Sequence, residues 1–307
     1  MSSAKIAVVD LGTNTFHLLI SDSDFKTIYK DKVAVMIGKD GINHGYITEE
    51  AQNRALHTLQ GFRGIIDDHE VKQIYATATS AIRNASNGQE LLNKIQKTSG
   101  ITIRVISGEE EAEYIYYGVK RAFDLGEAPV LIMDIGGGSV EFIIGNRQAL
   151  QWKQSFEIGA QRLLDQFQKH DPIWPEDVLN LEAFLEEKLL PLSKAIEKYL
   201  PKTLIGASGT FDTLSEICSL KANMPKNFGA TELPISLSGF DEIHQSILKK
   251  DRNQRLDIPG MVTMRVDMIV VASSLINYLL KKYNFDKLRI SAYALKEGLL
   301  DRLTVSQ

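Results

Sequence analysis

Cysteine is almost missing from this chain: Cys218 is the single one in 307 residues. That excludes a disulfide framework and a cysteine-built zinc site. Histidine offers no substitute, because the six present form no His-x-x-x-His or comparable ligand spacing. Proline is scarce, at 8, while 44% of residues are hydrophobic and 24% charged, so disordered, collagen-like and low-complexity classes are out. Long hydrophobic runs are lacking too. The longest, 268–280, contains two serines and an asparagine, and it is too short to span a bilayer, so it predicts a buried helix. The first apolar run, 6–9, is cut by Asp10. No signal peptide and no membrane contact are therefore expected, and the expected compartment is the cytoplasm. Positive charge is not in excess: 35 basic against 39 acidic residues give a net charge of −4. Such a chain has no global field for nucleic acid, though a local patch can still grip an anion.

What is present is length and pattern. A chain of 307 residues is about two ordinary domains and buries a sizeable core without staples. Runs at 5–10 and 16–21 read as a hairpin turning at Gly12-Thr13-Asn14, followed by a third strand at 27–37. Thr48 caps a helix with Glu49 and Glu50 in its first turn. A strand at 72–76, helical turns over 80–99, a strand at 102–106 and a helix over 108–123 complete the first half. The pattern then restarts. Residues 6–20 and 130–144 each read apolar run, Asp-x-Gly, small polar turn, apolar run, at an offset of 124. Residues 74–80 and 204–210 are each a strand running into small and hydroxyl residues before a helix. Two landmarks in one order predict an internal duplication, with two α/β lobes over 1–125 and 126–292. One long helix is expected over 175–199, a loop over 224–238, and helices over 260–283 and 293–303 around a strand at 287–290.

Both Asp-x-Gly turns end buried strands. Glycine permits positive φ and a close phosphate, and successive N–H groups in such turns make anion-binding concavities. Gly12, Thr13, Asn14 and Thr15, and Gly136, Gly137, Gly138 and Ser139, are the candidates. A single such turn reads more readily as an ordinary hairpin turn; two at matched positions favour phosphate. Asp10 and Asp134 would repel a phosphate unless they held a metal ion or oriented a water. Ser208, Gly209 and Thr210 open a helix and form a third anion candidate, with plain N-capping as the competing account. Ser107 with Glu110 three residues on makes a capping box. Glu109 and Glu111 flank the helix's core face (Ala112, Ile115, Tyr116, Val119, Phe123), and spacing leaves open which is the general base. Arg83 follows a hydroxyl-rich stretch and offers a planar fork for a phosphoryl group.

These stretches resemble the exopolyphosphatase / guanosine pentaphosphate phosphohydrolase (Ppx/GppA) family. The resemblance rests on Asp10-Leu-Gly-Thr-Asn-Thr-Phe-His-Leu-Leu, Ala78-Thr-Ser-Ala-Ile-Arg-Asn-Ala, Ile106-Ser-Gly-Glu-Glu-Glu-Ala, Met133-Asp-Ile-Gly-Gly-Gly-Ser-Val-Glu, Gly206-Ala-Ser-Gly-Thr, Pro259-Gly-Met and Leu295-Lys-Glu-Gly-Leu-Leu, in family order across nearly the whole chain. It implies the duplicated actin/hexokinase/heat-shock-ATPase (ribonuclease H-like) fold with a cleft between lobes, and a last helix, 293–307, returning to the first lobe. It implies that Glu111 is the catalytic glutamate, that Arg83 contacts the scissile phosphate, and that Asp134, Glu141 and Asp10 surround magnesium or manganese. Thr13 and Thr15 replace the usual serines and keep the hydroxyls. Met36 stands where many members carry a basic residue, and Lys296 replaces an arginine. The third, helical region of longer members, with its substrate contacts, is expected to be missing. The expected activity is release of terminal phosphate from inorganic polyphosphate, short chains being used well and long ones trimmed distributively. Guanosine pentaphosphate is the rival substrate, and a non-catalytic polyphosphate or nucleotide sensor and an ATP-dependent kinase are the rival functions. A homodimer is left open.

Overall fold

The computed structural model describes residues 4–305, apart from Lys226 and Phe228. The first sheet begins with β1 (Lys5–Leu11), β2 (Thr15–Asp22) and β3 (Thr27–Ala34), an antiparallel meander. Helix α1 (Glu49–Asp68) leads to β4 (Gln73–Ala78), which lies parallel to β1. Helices α2 (Ser80–Arg83) and α3 (Gly88–Ser99) lead to β5 (Ile103–Val105), and α4 (Gly108–Ala122) leaves the sheet. The strand order is β3-β2-β1-β4-β5.

The second sheet repeats this plan. β6 (Val130–Ile135), β7 (Val140–Gly145) and β8 (Leu150–Phe156) form the meander. Helices α5 (Ala160–Phe167), α6 (Pro175–Lys188) and α7 (Leu190–Tyr199) precede β9 (Thr203–Ala207), parallel to β6. Helix α8 (Ser208–Lys221), the short strand β10 (Glu232–Leu233), and helices α9 (Leu237–Leu248), α10 (Arg252–Leu256) and α11 (Ile269–Lys282) follow. β11 (Lys287–Ser291) then pairs parallel with β9, and α12 (Leu295–Val305) ends the described chain. The order β10-β11-β9-β6-β7-β8 is the first sheet's order with one added edge strand. Asp10 faces His17 across β1–β2, and Asp134 faces Glu141 across β6–β7, so the offset of 124 read in the sequence holds in register. The duplicated two-lobe α/β fold is thus present, as the resemblance implied. Among the described residues no helix is long and apolar enough to cross a membrane.

Four elements differ from the sequence reading, each for a local reason. β3 stops at Ala34 because Met36, at φ 48°, turns the chain; its N–H donates to the Asn14 carbonyl, and Arg54 holds the Val35 and Met36 carbonyls. The helix expected over 80–99 breaks between Arg83 and Gly88, where Asn87 bonds both backbone groups of Ile47. The helix over 175–199 divides at Leu189, since Pro191 cannot continue an i→i−4 ladder. The helix expected from 260 starts only at Ile269: Gly260 lies at φ 92°, and a Cβ there would press on the backbone of Ile217.

Two helices exchange sheets. α4 packs its Ile115, Tyr116 and Val119 against Ile132, Ile143 and Ile205 of the second sheet. α12, after the last strand of that sheet, packs Leu299 and Leu300 on Ile6, Val8 and Leu19 of the first. They cross with backbones in contact: a Cβ on Gly118 would overlap the Ala294 carbonyl, and one on Gly298 would overlap that of Tyr114. Overpacking a site that cannot yield costs about 1–3 kcal/mol. Gly298→Ala is therefore expected to destabilise the chain by that much in denaturant unfolding. Gly61→Ala, in α1 with open space around it, should instead stabilise by up to ~1 kcal/mol through helix propensity. Equal effects at the two glycines would overturn the close-crossing account.

Candidate active site

The ends of β1 and β6 face one another across a cleft, each followed by its glycine turn. The turns close identically: Gly12 N–H donates to Thr15 O at 3.1 Å, and Gly136 N–H to Ser139 O at 3.0 Å. They also touch. A Cβ on Gly137 would stand 2.5 Å from Asn14 Nδ2, and one on Gly138 would stand 2.5 Å from Ser80 Oγ and 2.8 Å from Thr13 Oγ1. Asn14 is held by donating to Met268 Sδ at 3.0 Å.

Glu111 is buried on the cleft floor. The capping box explains why it is free for that position. Ser107 Oγ accepts from the Glu110 N–H and Glu110 Oε2 accepts from the Ser107 N–H, so Glu110 is fixed outward, where Arg104 pairs with it. Glu109 is exposed and outside the cleft. Of the two flanking acids, only Glu111 reaches the cleft. Arg83 Nη1 donates to Glu111 Oε2 at 3.1 Å and to the Ile106 carbonyl.

Glu111 shares the floor with Asp10, Asp134 and Glu141. Ser208, at φ 70°, donates to Asp134 Oδ2 at 2.6 Å, and Ser155 donates to Glu141 Oε1 at 2.6 Å. Burial, followed by the charge of Glu141, pushes Glu111 well above the usual carboxylate range, against the pull of Arg83. Burial likewise raises Asp10 to about 7, Asp134 to about 6 and Glu141 to about 8.

Opposite these acids stand cations that the sequence reading did not gather. Lys32 on β3, Arg265 before α11 and Lys296 on α12 line the cleft, with Asp212 and His17 between them. Arg265 is buried and its Nε has no partner. Lys296 bonds Glu297 at 3.0 Å; burial weakens its hold on a proton, but Glu297, Asp212 and Asp10 more than restore it. Burial, then Lys296, Lys32 and Arg265, hold His17 well below its usual range. These residues sit in separate elements with no local motif. Two carried a signal: His17, as the register counterpart of Glu141, and Lys296, as the lysine standing for a family arginine.

The structure therefore brings Asp10, Gly12, Thr13, Asn14, Thr15, Glu111, Asp134, Gly136, Gly137, Gly138, Ser139, Glu141, Ser208 and Gly209 to one cleft. Two candidates lie outside its lining. Thr210 is buried as the third residue of α8, outside the cleft lining, and neither it nor Ser208 makes a side-chain cap. Arg83 stands behind Glu111 rather than in the cleft.

Residues 19–307 match the Ppx/GppA phosphatase family. The chain belongs to that family. It is 46% identical to an exopolyphosphatase from Cytophaga hutchinsonii of known structure, with 98% of each chain covered and a TM-score of 0.96. It is 25% identical over 305 residues to exopolyphosphatase 1 of Mycobacterium bovis, covering 97% of this chain and 88% of that protein. It is 31% identical over 301 residues to a bifunctional 3-dehydroquinate synthase/phosphatase of Fusobacterium nucleatum, covering 93% of this chain but only 44% of that protein's length.

The metal that Ppx/GppA membership suggests can be tested against these side chains. Asp10 Oδ1 is buried without a partner, amid three further acids, and the donors are all oxygen. Among the described residues no three His, Cys, Asp or Glu side chains form a ready metal cage. Magnesium fits such a site, since it takes one or two carboxylates and completes its shell with phosphate oxygens and water.

The raised acids fix a sign. Each holds its proton more tightly folded than unfolded, so the stability it confers is complete below about pH 4 and is lost as pH climbs through the folded values. In excess chelator, wild-type melting temperature is expected to fall relative to Asp10→Asn between about pH 5 and pH 8, with Asp10→Asn the more stable at pH 8. A constant gap across that range, read by thermal melts, would contradict it.

Proposed function

We propose that this chain is an exopolyphosphatase, releasing orthophosphate from the end of inorganic polyphosphate. The observation carrying this reading is Glu111: a buried acid of raised proton affinity on the floor of a polar cleft, between two matched phosphate turns. In the reading, the backbone of the two turns, Thr13, Thr15, Ser139 and Ser208 orient the terminal phosphoryl group. A water oxygen attacks its phosphorus, the bond to the bridging oxygen breaks, and the water's proton passes to a Glu111 oxygen. The products are orthophosphate and a chain one phosphate shorter. A base with proton affinity near the working pH combines ionisation with driving force, which suits a raised glutamate. Arg83 acts first through Glu111, holding the carboxylate aimed and pulling its proton affinity down against burial. Asp134 with Glu141 or Asp10 would hold magnesium or manganese, whose charge would offset that of the phosphate oxygens.

Polyphosphate is preferred over guanosine pentaphosphate because no Phe, Tyr or Trp lines this cleft among the described residues, so that only the small flat groups of His17 and Arg265 face a guanine there. The lining cations and turns suit repeated phosphates instead. The comparison that tests it is phosphate release from polyphosphate and from guanosine pentaphosphate at equal terminal-phosphate concentration. A large kcat/KM advantage for the nucleotide would replace the proposal with a 5′-phosphohydrolase; transfer of phosphate to an acceptor, or no turnover, would point to a kinase or a sensor.

Glu111→Gln should cut kcat by at least ~10²-fold, the lower end of general-base contributions. Glu110→Gln should leave kcat near wild type and weaken the cap, by about 1 kcal/mol at most. Equal damage at the two positions would reject Glu111 as the base. Excess chelator should abolish hydrolysis, and magnesium rather than zinc should restore it; full activity in chelator would reject the metal assignment.

A further inference from the structure

Glu157 lies in the short connection between β8 and α5, on the second lobe, and no role has been given to it above. Its carboxylate accepts from Ser80 Oγ at 2.6 Å and from Arg83 Nη2 at 3.1 Å, both on the first lobe, and from Arg162 Nη2 at 3.3 Å beside it. Asn84 also bonds it. Ser80 and Arg83 are donors of the kind that grip a phosphoryl oxygen, and Ser80 Oγ stands where the two glycine turns meet, against Gly138 and Thr13 Oγ1. A carboxylate and a phosphoryl group compete for the same guanidinium fork and hydroxyl donors.

We infer that Glu157 is an intramolecular stand-in for a phosphate, occupying Ser80 and Arg83 until an incoming polyphosphate displaces it, so that it weakens substrate affinity more than it affects the chemical step. This rests on the polyphosphatase reading. The partners differ in freedom: the Glu157 side chain is 43% exposed, that of Arg83 17%. The acid is therefore the member that can swing into water when a phosphate arrives. Closure of the lobes does not rest on it, because Arg162 also donates across the lobes to the Ile42 carbonyl at 3.0 Å, and Asn43 meets Asp165. Glu157 also adds a negative charge beside a site for polyanions. A purely structural latch would make a different prediction, since its loss would loosen the site and raise KM.

The test compares wild type, Glu157→Gln, which removes the charge at constant shape, and Glu157→Asp, which keeps the charge but withdraws it. KM for polyphosphate with magnesium at low salt is expected to fall about fivefold in Glu157→Gln and less in Glu157→Asp. That is about 1 kcal/mol, the upper end for a partly exposed ion pair. kcat should change less than KM, and the gain should shrink as salt rises. Orthophosphate binding, titrated calorimetrically, should tighten in parallel, and this readout needs no turnover. An unchanged or raised KM together with unchanged or weakened orthophosphate binding would overturn the inference while leaving the exopolyphosphatase reading intact. If no protein releases phosphate from polyphosphate, that reading fails, and the orthophosphate titration still decides the role of Glu157.

Discussion

Everything in the cleft depends on two glycine turns from opposite lobes lying in van der Waals contact. Asn14 rests on Gly137, and Ser80 and Thr13 rest on Gly138, at distances where no side chain would fit. A third glycine, Gly159, lies under the same turn, with its N–H donating to the Gly138 carbonyl. Approach on this scale lets backbone from both lobes bear on one small anion. It also forces the strand-ending acids Asp10 and Asp134 into a shared, poorly solvated space. Their mutual repulsion and raised proton affinity follow from the closeness of the turns rather than from any local sequence choice.

That geometry sets the electrostatic problem, and the surrounding residues answer it unevenly. Four acids occupy the floor, while Lys32, Arg265 and Lys296 come in from three separate elements. The cations lower the proton affinity of Asp10 and Asp134, yet burial wins at both. Arg83 pulls on Glu111 in the same direction and loses in the same way. A buried acid of raised proton affinity is a stronger base than an ordinary carboxylate, whereas an isolated surface glutamate near pH 4 is a poor base at pH 7.

The duplicated α/β plan, the two turns, the capping box and the acidic triplet were legible in the sequence, because each is a short-range pattern: a period, a glycine, or an N-cap with a partner three residues on. Periodicity failed where tertiary contacts override it. Asn87 bonding Ile47 breaks one expected helix, and Gly260 at positive φ delays another. The choice between Glu109 and Glu111 needed the second sheet, since it depends on which helix flank meets Ser155 and Glu141. The gathering of the cations was illegible for the same reason: Lys296 stood out only as the replacement of a family arginine, and a lysine on an edge strand and an arginine in a 3-10 turn share no local spacing with it. Arg83 was found as a residue but not in its surroundings, because its second carboxylate, Glu157, comes from the other lobe.

Duplication supplied two equivalent halves, and the chemistry comes from where they stopped being equivalent. The pair Asp10–His17 and the pair Asp134–Glu141 occupy the same register position. In the first half the partner is a histidine whose proton affinity burial, and then its cationic neighbours, hold well below the usual range. In the second it is a buried acid bonded to Ser155. Had both partners been acids, the floor would carry a further negative charge with no additional cation to balance it. Had both been histidines, the second turn would lose the carboxylate whose charge helps raise Glu111. The crossing of α4 and α12 sharpens this asymmetry. Each helix presents its first turn to the cleft, one carrying Glu111 and the other Lys296, and the Gly118 and Gly298 contacts fix the helices that carry these opposite charges against each other. The spacing between the proposed base and Lys296 is therefore set by a backbone contact outside the cleft, whereas Lys32 and Arg265 reach it from other elements.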